Sequence, residues 1–129
     1  MVSYSNMANR NGKNCKPIKF IDLFCGIGGF RVAAEQLAVD LGVSVKCVFS
    51  SDIDEDCKQA YEANFGERPS GDITAIKAEN IPDHDILLAG FPCQPFSIIG
   101  HRKGFDDTRG TLFFEIAHII EAKKPTAVV

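Results

Sequence analysis

Lys19-Phe20-Ile21-Asp22-Leu23-Phe24-Cys25-Gly26-Ile27-Gly28-Gly29-Phe30 is the stretch that decides the architecture. Lys19–Phe24 predicts a strand and Gly26 to Gly29 a turn. Phe30, Ala33, Ala34, Leu37, Ala38 and Leu41 then recur at three- and four-residue steps, which predicts the inward face of a helix. Gly42 follows as a stop signal. Glycines at such a junction let the backbone approach a ligand closely and adopt positive φ. The helix amides behind them offer donors and a positive dipole end to an anionic group such as a carboxylate. A plain tight connection is the competing reading. Arg31 occupies the last position of a G-x-G-x-x-G spacing and no G-K-[S/T] follows, so dinucleotide and P-loop readings both weaken.

Outward from this unit the alternation continues. Val45–Ser50 predicts a second strand, and Cys57, Ala60, Tyr61 and Phe65 a second helical stripe closed by Gly66. A weak strand is expected near Gly71–Thr74, followed by a short helical piece. Asp85–Ala89 is a buried apolar strand. Leu112, Phe113, Ile116, Ile119 and Ile120 mark a further helix, Pro125 ends it, and Thr126–Val129 begins one more strand. Strands alternating with helices imply right-handed crossovers and an α/β fold, an open, mostly parallel sheet with helices on both faces. Ligands of such sheets bind outside the carboxyl ends of the strands. A loose polar tail, residues 1–17, is expected before a single domain over 18–129. The closing strand is one that parallel-sheet logic would bury, so the domain is expected to be incomplete.

Of the 129 residues, 45% are hydrophobic and 24% charged, an ordinary soluble composition. No apolar run approaches the ~18 residues of a membrane span, and the expected location is the cytoplasm. The five cysteines (15, 25, 47, 57 and 93) are odd in number and lack a C-x-x-C spacing, which suggests free thiols and no metal site. A net charge of −3 disfavours an anionic polymer unless a local basic patch or further protein supplies the contact.

At the strand ends, Asp52 can accept hydrogen bonds from ribose hydroxyls, or Asp52 or Asp54 can cap the following helix. Asp72-Ile73 can meet an adenine amino group and ring, or be a simple turn. Past the fourth strand comes Leu87-Leu88-Ala89-Gly90-Phe91-Pro92-Cys93-Gln94-Pro95-Phe96-Ser97. Pro92 and Pro95 fix φ and remove amide donors, which keeps this loop out of a sheet and presents the Cys93 thiol outward as a candidate nucleophile. A buried structural cysteine is the alternative there and the preferred reading for Cys47 and Cys57. No arginine stands six residues after Cys93, so the thiol is not aimed at a phosphate ester. Gly100 to Gly110 has the length and glycines of a loop that closes over a substrate, with basic members able to meet phosphates.

Asp22–Phe30, Asp52, Asp72-Ile73, Phe91–Ser97 and Arg109–Ile116, in this order, resemble the first five blocks of the cytosine-C5 DNA methyltransferases, and the likeness runs from Ile18 to Val129. It implies a Rossmann-like S-adenosylmethionine-dependent methyltransferase fold and S-adenosyl-L-methionine as cofactor. Phe24, Gly26, Ile27, Gly28 and Gly29 would then surround the cofactor, Asp52 would hold its ribose, Ile53, Asp72 and Ile73 would lie near the adenine, and Leu112 would add an apolar contact. The resemblance makes Cys93 the residue that attacks C6 of a cytosine flipped out of double-stranded DNA, with Gln94, Ser97 and Arg109 holding the strand. Asp52 and Ile53 depart from the commoner glutamate and aromatic. The family's Glu-Asn-Val block, its later arginine block and its target-recognition domain have no counterpart in these 129 residues, which predicts no turnover by the chain alone and a complementing polypeptide as partner. The alternatives are a non-catalytic cofactor-binding or assembly fragment of a split enzyme, and an RNA methyltransferase of the same family.

Overall fold

The computed structural model describes residues 15–91 and 108–129, and in the last helix the side chains from Leu112 onward. Its elements are β1 (Ile18–Leu23), α1 (Gly29–Leu41), β2 (Val45–Ser51), α2 (Glu55–Phe65), two 3-10 turns (Ile73–Ala75 and Ala78–Asn80), β3 (Ile86–Ala89), α3 (Thr108–Lys123) and β4 (Ala127–Val128). The strands form one parallel sheet in the order β2-β1-β3-β4.

Parallel neighbours at matched positions point to the same side, and successive residues alternate. Asp22 is level with Ser50 on β2 and Leu88 on β3, while Ile21 is level with Phe49 and Leu87. The side carrying Phe20, Cys47 and Leu88 packs against Ala34 of α1. On the other side, Ile21, Leu23 and Leu87 meet Ile73, Ile81 and the α3 residues Ile116 and Ile119. Helices therefore cover both faces, as the strand–helix alternation predicts. Each fully buried Leu or Ile contributes on the order of 1.5–3 kcal/mol relative to exposure.

Helix ends follow the sequence signals. Gly42 and Gly66 both take left-handed φ (66° and 72°) and return their N–H groups to the last turns of α1 and α2. Two expectations change. The third strand shrinks to a single bridge between Ser51 and Ser70, because Asp72 accepts bonds from the Thr74 amide and hydroxyl and folds its segment into a 3-10 turn. The inward face of α1 is rotated as well. Arg31 and Ala38 are its buried residues, whereas Phe30, Leu37 and Leu41 are 41%, 57% and 66% exposed. The stripe that faces the sheet is 31/34/38, with the Arg31 guanidinium reaching Tyr61 of α2.

Candidate functional site

β1 and β3 are neighbours, and the connection leaving β1 runs to one side, to β2, while that leaving β3 runs to the other, to β4. This is the switch point at which open α/β sheets leave a ligand crevice. Phe24 ends the strand with φ 54°, a left-handed conformation uncommon for a non-glycine residue. Its ring lies 6.3 Å from that of Phe91, which follows β3 across the switch point. The chain then turns through Gly26 (φ 53°) and Gly28 (φ 96°) into α1.

The turn is fixed by backbone bonds. The Cys25 amide donates to Ser51 O at 3.0 Å and the Gly28 amide to Cys25 O at 2.9 Å. Asp52, at the end of β2, accepts from the Gly26 amide at 2.7 Å and from the Asp54 amide at 2.9 Å. Asp54 caps α2 by accepting from the Cys57 amide at 2.9 Å, which also holds its carboxyl below the usual range. Of the two candidate caps, Asp54 takes the helix and Asp52 takes the glycine turn.

The three glycines at the turn serve different ends. A Cβ at Gly28 would lie 2.2 Å from Phe65 Cε2, so this position is closed by α2 as well as by its φ. At Gly26 and Gly29 a Cβ would meet nothing within 4 Å. No side chain caps the start of α1 and its first turn carries no acidic residue, which leaves its amides available to an anionic group. Ile53 is 75% exposed beside Asp52. Ile73 sits in the apolar core at 3% exposure, with Leu112 packed against the same cluster. Ile27 is exposed, with its carbonyl accepting from Asn64 Nδ2 at 3.4 Å.

Two charged residues at the site escape pattern reading. Asp22 is fully buried on the α1 side with neither carboxylate oxygen hydrogen-bonded. Burial pushes its pKa up to about 7, against the pull of Arg31 and with a push from Asp52. The available signal was a carboxylate inside an apolar strand. Arg31, 8% exposed, donates through Nε to Glu35 and through one terminal nitrogen to Glu67 and to the Tyr61 hydroxyl. Cys25 is buried nearby, and burial, then Asp22 and Asp52, pushes its thiol up to about 12, so it is no nucleophile. Cys47 is buried and its thiol is likewise pushed up by burial, whereas Cys57 is only partly buried.

Phe24, Gly26 to Gly29, Asp52 and Ile53 thus come together at one end of the sheet, while Asp72 is engaged with Thr74. Cys93, Gln94 and Ser97 lie outside the described residues, as does the Arg109 side chain, although its backbone belongs to the first turn of α3. A shallow hollow of about 630 Å³ lies at the opposite, amino ends of the strands, lined by Lys16, Lys19, His84 and Asp85 among others. Among the described residues no cluster of His, Cys, Asp and Glu could hold a metal ion, and no helix is long and apolar enough to cross a membrane.

The chain resembles several known proteins. Type II methyltransferase M.HhaI of Haemophilus parahaemolyticus is 53% identical over 116 residues, covering 90% of this chain and 34% of its own length. M1.ScrFI of Lactococcus lactis subsp. cremoris is 57% identical over 127 residues, covering 98% and 31%. The chain spans about a third of the length of these relatives. Among solved structures, the Dnmt2 methyltransferase of S. pombe superposes with a TM-score of 0.63 at 28% identity, over 81% of this chain and 32% of its own. Entamoeba histolytica EhMeth, at 24% identity and a TM-score of 0.66, shares the fold. Because the profile of C-5 cytosine-specific DNA methylases matches residues 18–129 from end to end, the chain belongs to that family.

Proposed function

We propose that these residues are the cofactor-binding and nucleophile-bearing part of a DNA (cytosine-5-)-methyltransferase that uses S-adenosyl-L-methionine. The observation that carries this reading is the turn at the switch point, with two open glycines, an uncapped helix start and Asp52 bonded across to Gly26. These residues fit the cofactor. Gly26 and Gly29 leave room for its close approach, and the α1 amides suit its carboxylate. Each Asp52 oxygen accepts one amide and retains a lone pair for a ribose hydroxyl. Ile53 presents an exposed apolar surface for the adenine. When bound, the cofactor supplies an electrophilic methyl group on a sulfonium.

The chain's own chemistry belongs to Cys93. Its thiolate adds to C6 of an extruded cytosine, and the electron density moves to C5, which takes the methyl. Loss of the C5 proton to a base then drives elimination of the thiol and restores the 5–6 double bond. Gln94, Ser97 and the Arg109 guanidinium hold the extruded strand, with Arg109 on a phosphate. Burial pushes the Cys25 and Cys47 thiols up, which suits neither to nucleophilic attack, and the choice of Cys93 follows the family resemblance.

Residues 18–129 act as one domain behind the tail 1–17, in a cytoplasmic protein of the Type II modification class, as the names of the relatives suggest. The glutamate that promotes attack at C6 and the target-recognition domain lie outside these 129 residues, which span about a third of the length of the relatives, so these residues by themselves are expected to turn over no cytosine. General acid help of that kind is worth roughly 10²–10⁴-fold. Calorimetric titration of S-adenosylmethionine into the folded chain tests the reading, with saturable binding expected. A folded chain that binds none would overturn the cofactor assignment for these residues. Methylation of cytosine DNA by the isolated 129 residues would overturn that expectation.

A further inference from the structure

Arg31 occupies a place where an apolar side chain would fill space without the desolvation that a buried guanidinium entails. Its Nε donates to Glu35 Oε1 at 2.9 Å, and one terminal nitrogen donates to Glu67 Oε2 at 2.9 Å and to the Tyr61 hydroxyl at 3.3 Å. The guanidinium carbon also stands 4.5 Å from the Phe65 ring centroid and 5.6 Å from that of Tyr61. The two rings pack on each other with centroids 4.6 Å apart.

These same aromatics close the glycine turn. Phe65 and Tyr61 occupy the space beside Gly28, and Asn64, next along α2, donates to the Ile27 carbonyl. The end of α2 therefore grips the turn at residues 27 and 28 directly, and the start of α1 through Arg31. Gly26 and Gly29, the two positions left open, flank the hold at residues 27 and 28. An i,i+4 pair of Arg31 with Glu35 alone would tie α1 only to itself; the bonds to Tyr61 and Glu67 tie it to α2 and to the segment just past its end.

We infer that Arg31, with Tyr61, Phe65 and Glu67, is a positioning cluster that sets the glycine turn for S-adenosylmethionine without touching it. This rests on the cofactor reading above. Residues that support a binding shell in this way affect affinity through the placement of groups they never meet at the ligand.

The test uses the full chain labelled with ¹⁵N-glycine, titrated with S-adenosylmethionine. Arg31→Met should raise Kd roughly tenfold, about 1.4 kcal/mol, and move the Gly26 and Gly29 amide resonances in the free protein. Arg31→Lys should restore part of both. Ala38→Gly, a helix-weakening change elsewhere on α1, should lower the melting temperature and leave Kd alone. Folded Arg31→Met with wild-type Kd and glycine shifts would overturn the inference, as would an equal loss of affinity in Ala38→Gly. If Arg31→Met fails to fold, Glu67→Gln takes its place, because it removes the charge of one half-exposed partner and leaves the core filled. Its expected loss is roughly threefold, and an unchanged Kd with unchanged glycine shifts counts against the cluster. Should the wild type itself bind no cofactor, the cofactor reading fails, while the glycine resonances still report whether Arg31 sets the turn.

Discussion

On one face of the sheet, Ile21, Leu23 and Leu87 meet Ile116 and Ile119 of α3 in a layer without a charge. On the other, Phe20, Cys47 and Leu88 share their layer with Asp22, Ser50, Arg31 and Tyr61. The α3 face is a packing device, and any apolar residue of similar volume serves it. The α1 face carries buried polar groups whose cost is accepted at the end of the sheet where the glycine turn stands. One face supplies the stability that the other draws on.

Two substitutions separate the faces, and a third probes α2 apart from both. Ile21→Ala opens a cavity in the apolar layer and should destabilise the chain by about 2–5 kcal/mol in denaturant titration. A loss under about 1 kcal/mol would mean that the apolar face is not the one that holds the fold.

Asp22→Asn should act in the opposite direction. An aspartate titrates near 3.9 when unfolded and near 7 here, because burial favours its neutral form. Below pH ~4 both states are protonated and the residue carries no linked cost. Between those values the folded chain holds a proton that the unfolded chain has released, so stability falls as pH rises and levels off above about 7. Asp22→Asn should remove this fall and stabilise the chain by on the order of 1–2 kcal/mol at pH 8, with little change at pH 4. Parallel stability–pH curves for the two proteins would show that Asp22 has a partner after all.

Asp54→Ala touches neither face. It removes the cap on the Cys57 amide and should lower the melting temperature by less than Ile21→Ala does. A larger loss would mean that α2 depends more on its cap than on the Tyr61 and Phe65 contacts.

Sequence periodicity served the α3 face well, since Ile116, Ile119 and Ile120 lie on the stripe that packs there. Glycine and aspartate signals served the strand ends, where Gly42, Gly66 and Asp54 terminate or cap helices through purely local chemistry. The polar face was harder to read. Asp22 interrupts an apolar strand, and a hydrophobicity pattern absorbs it without asking what surrounds it. Arg31 stands beside a stripe of alanines and leucines, and its partners Tyr61 and Glu67 lie 30 and 36 residues away, beyond the reach of local periodicity. Asp72 misled in a third way, since its bond to Thr74 diverts a segment with strand composition into a turn. The Cys93 loop, the most specific motif in the chain, falls outside the described residues, and its role rests on the resemblance alone.

Gly28 is locked twice, by its φ of 96° and by Phe65 against its α-carbon. Shrinking Phe65 would free the space and leave the backbone strained, and relaxing the backbone would leave the clash. A lineage leaving glycine here would have to cross a valley through at least two unfavourable changes on separate helices. Drift at position 28 is therefore blocked whether or not selection acts on the chemistry beside it.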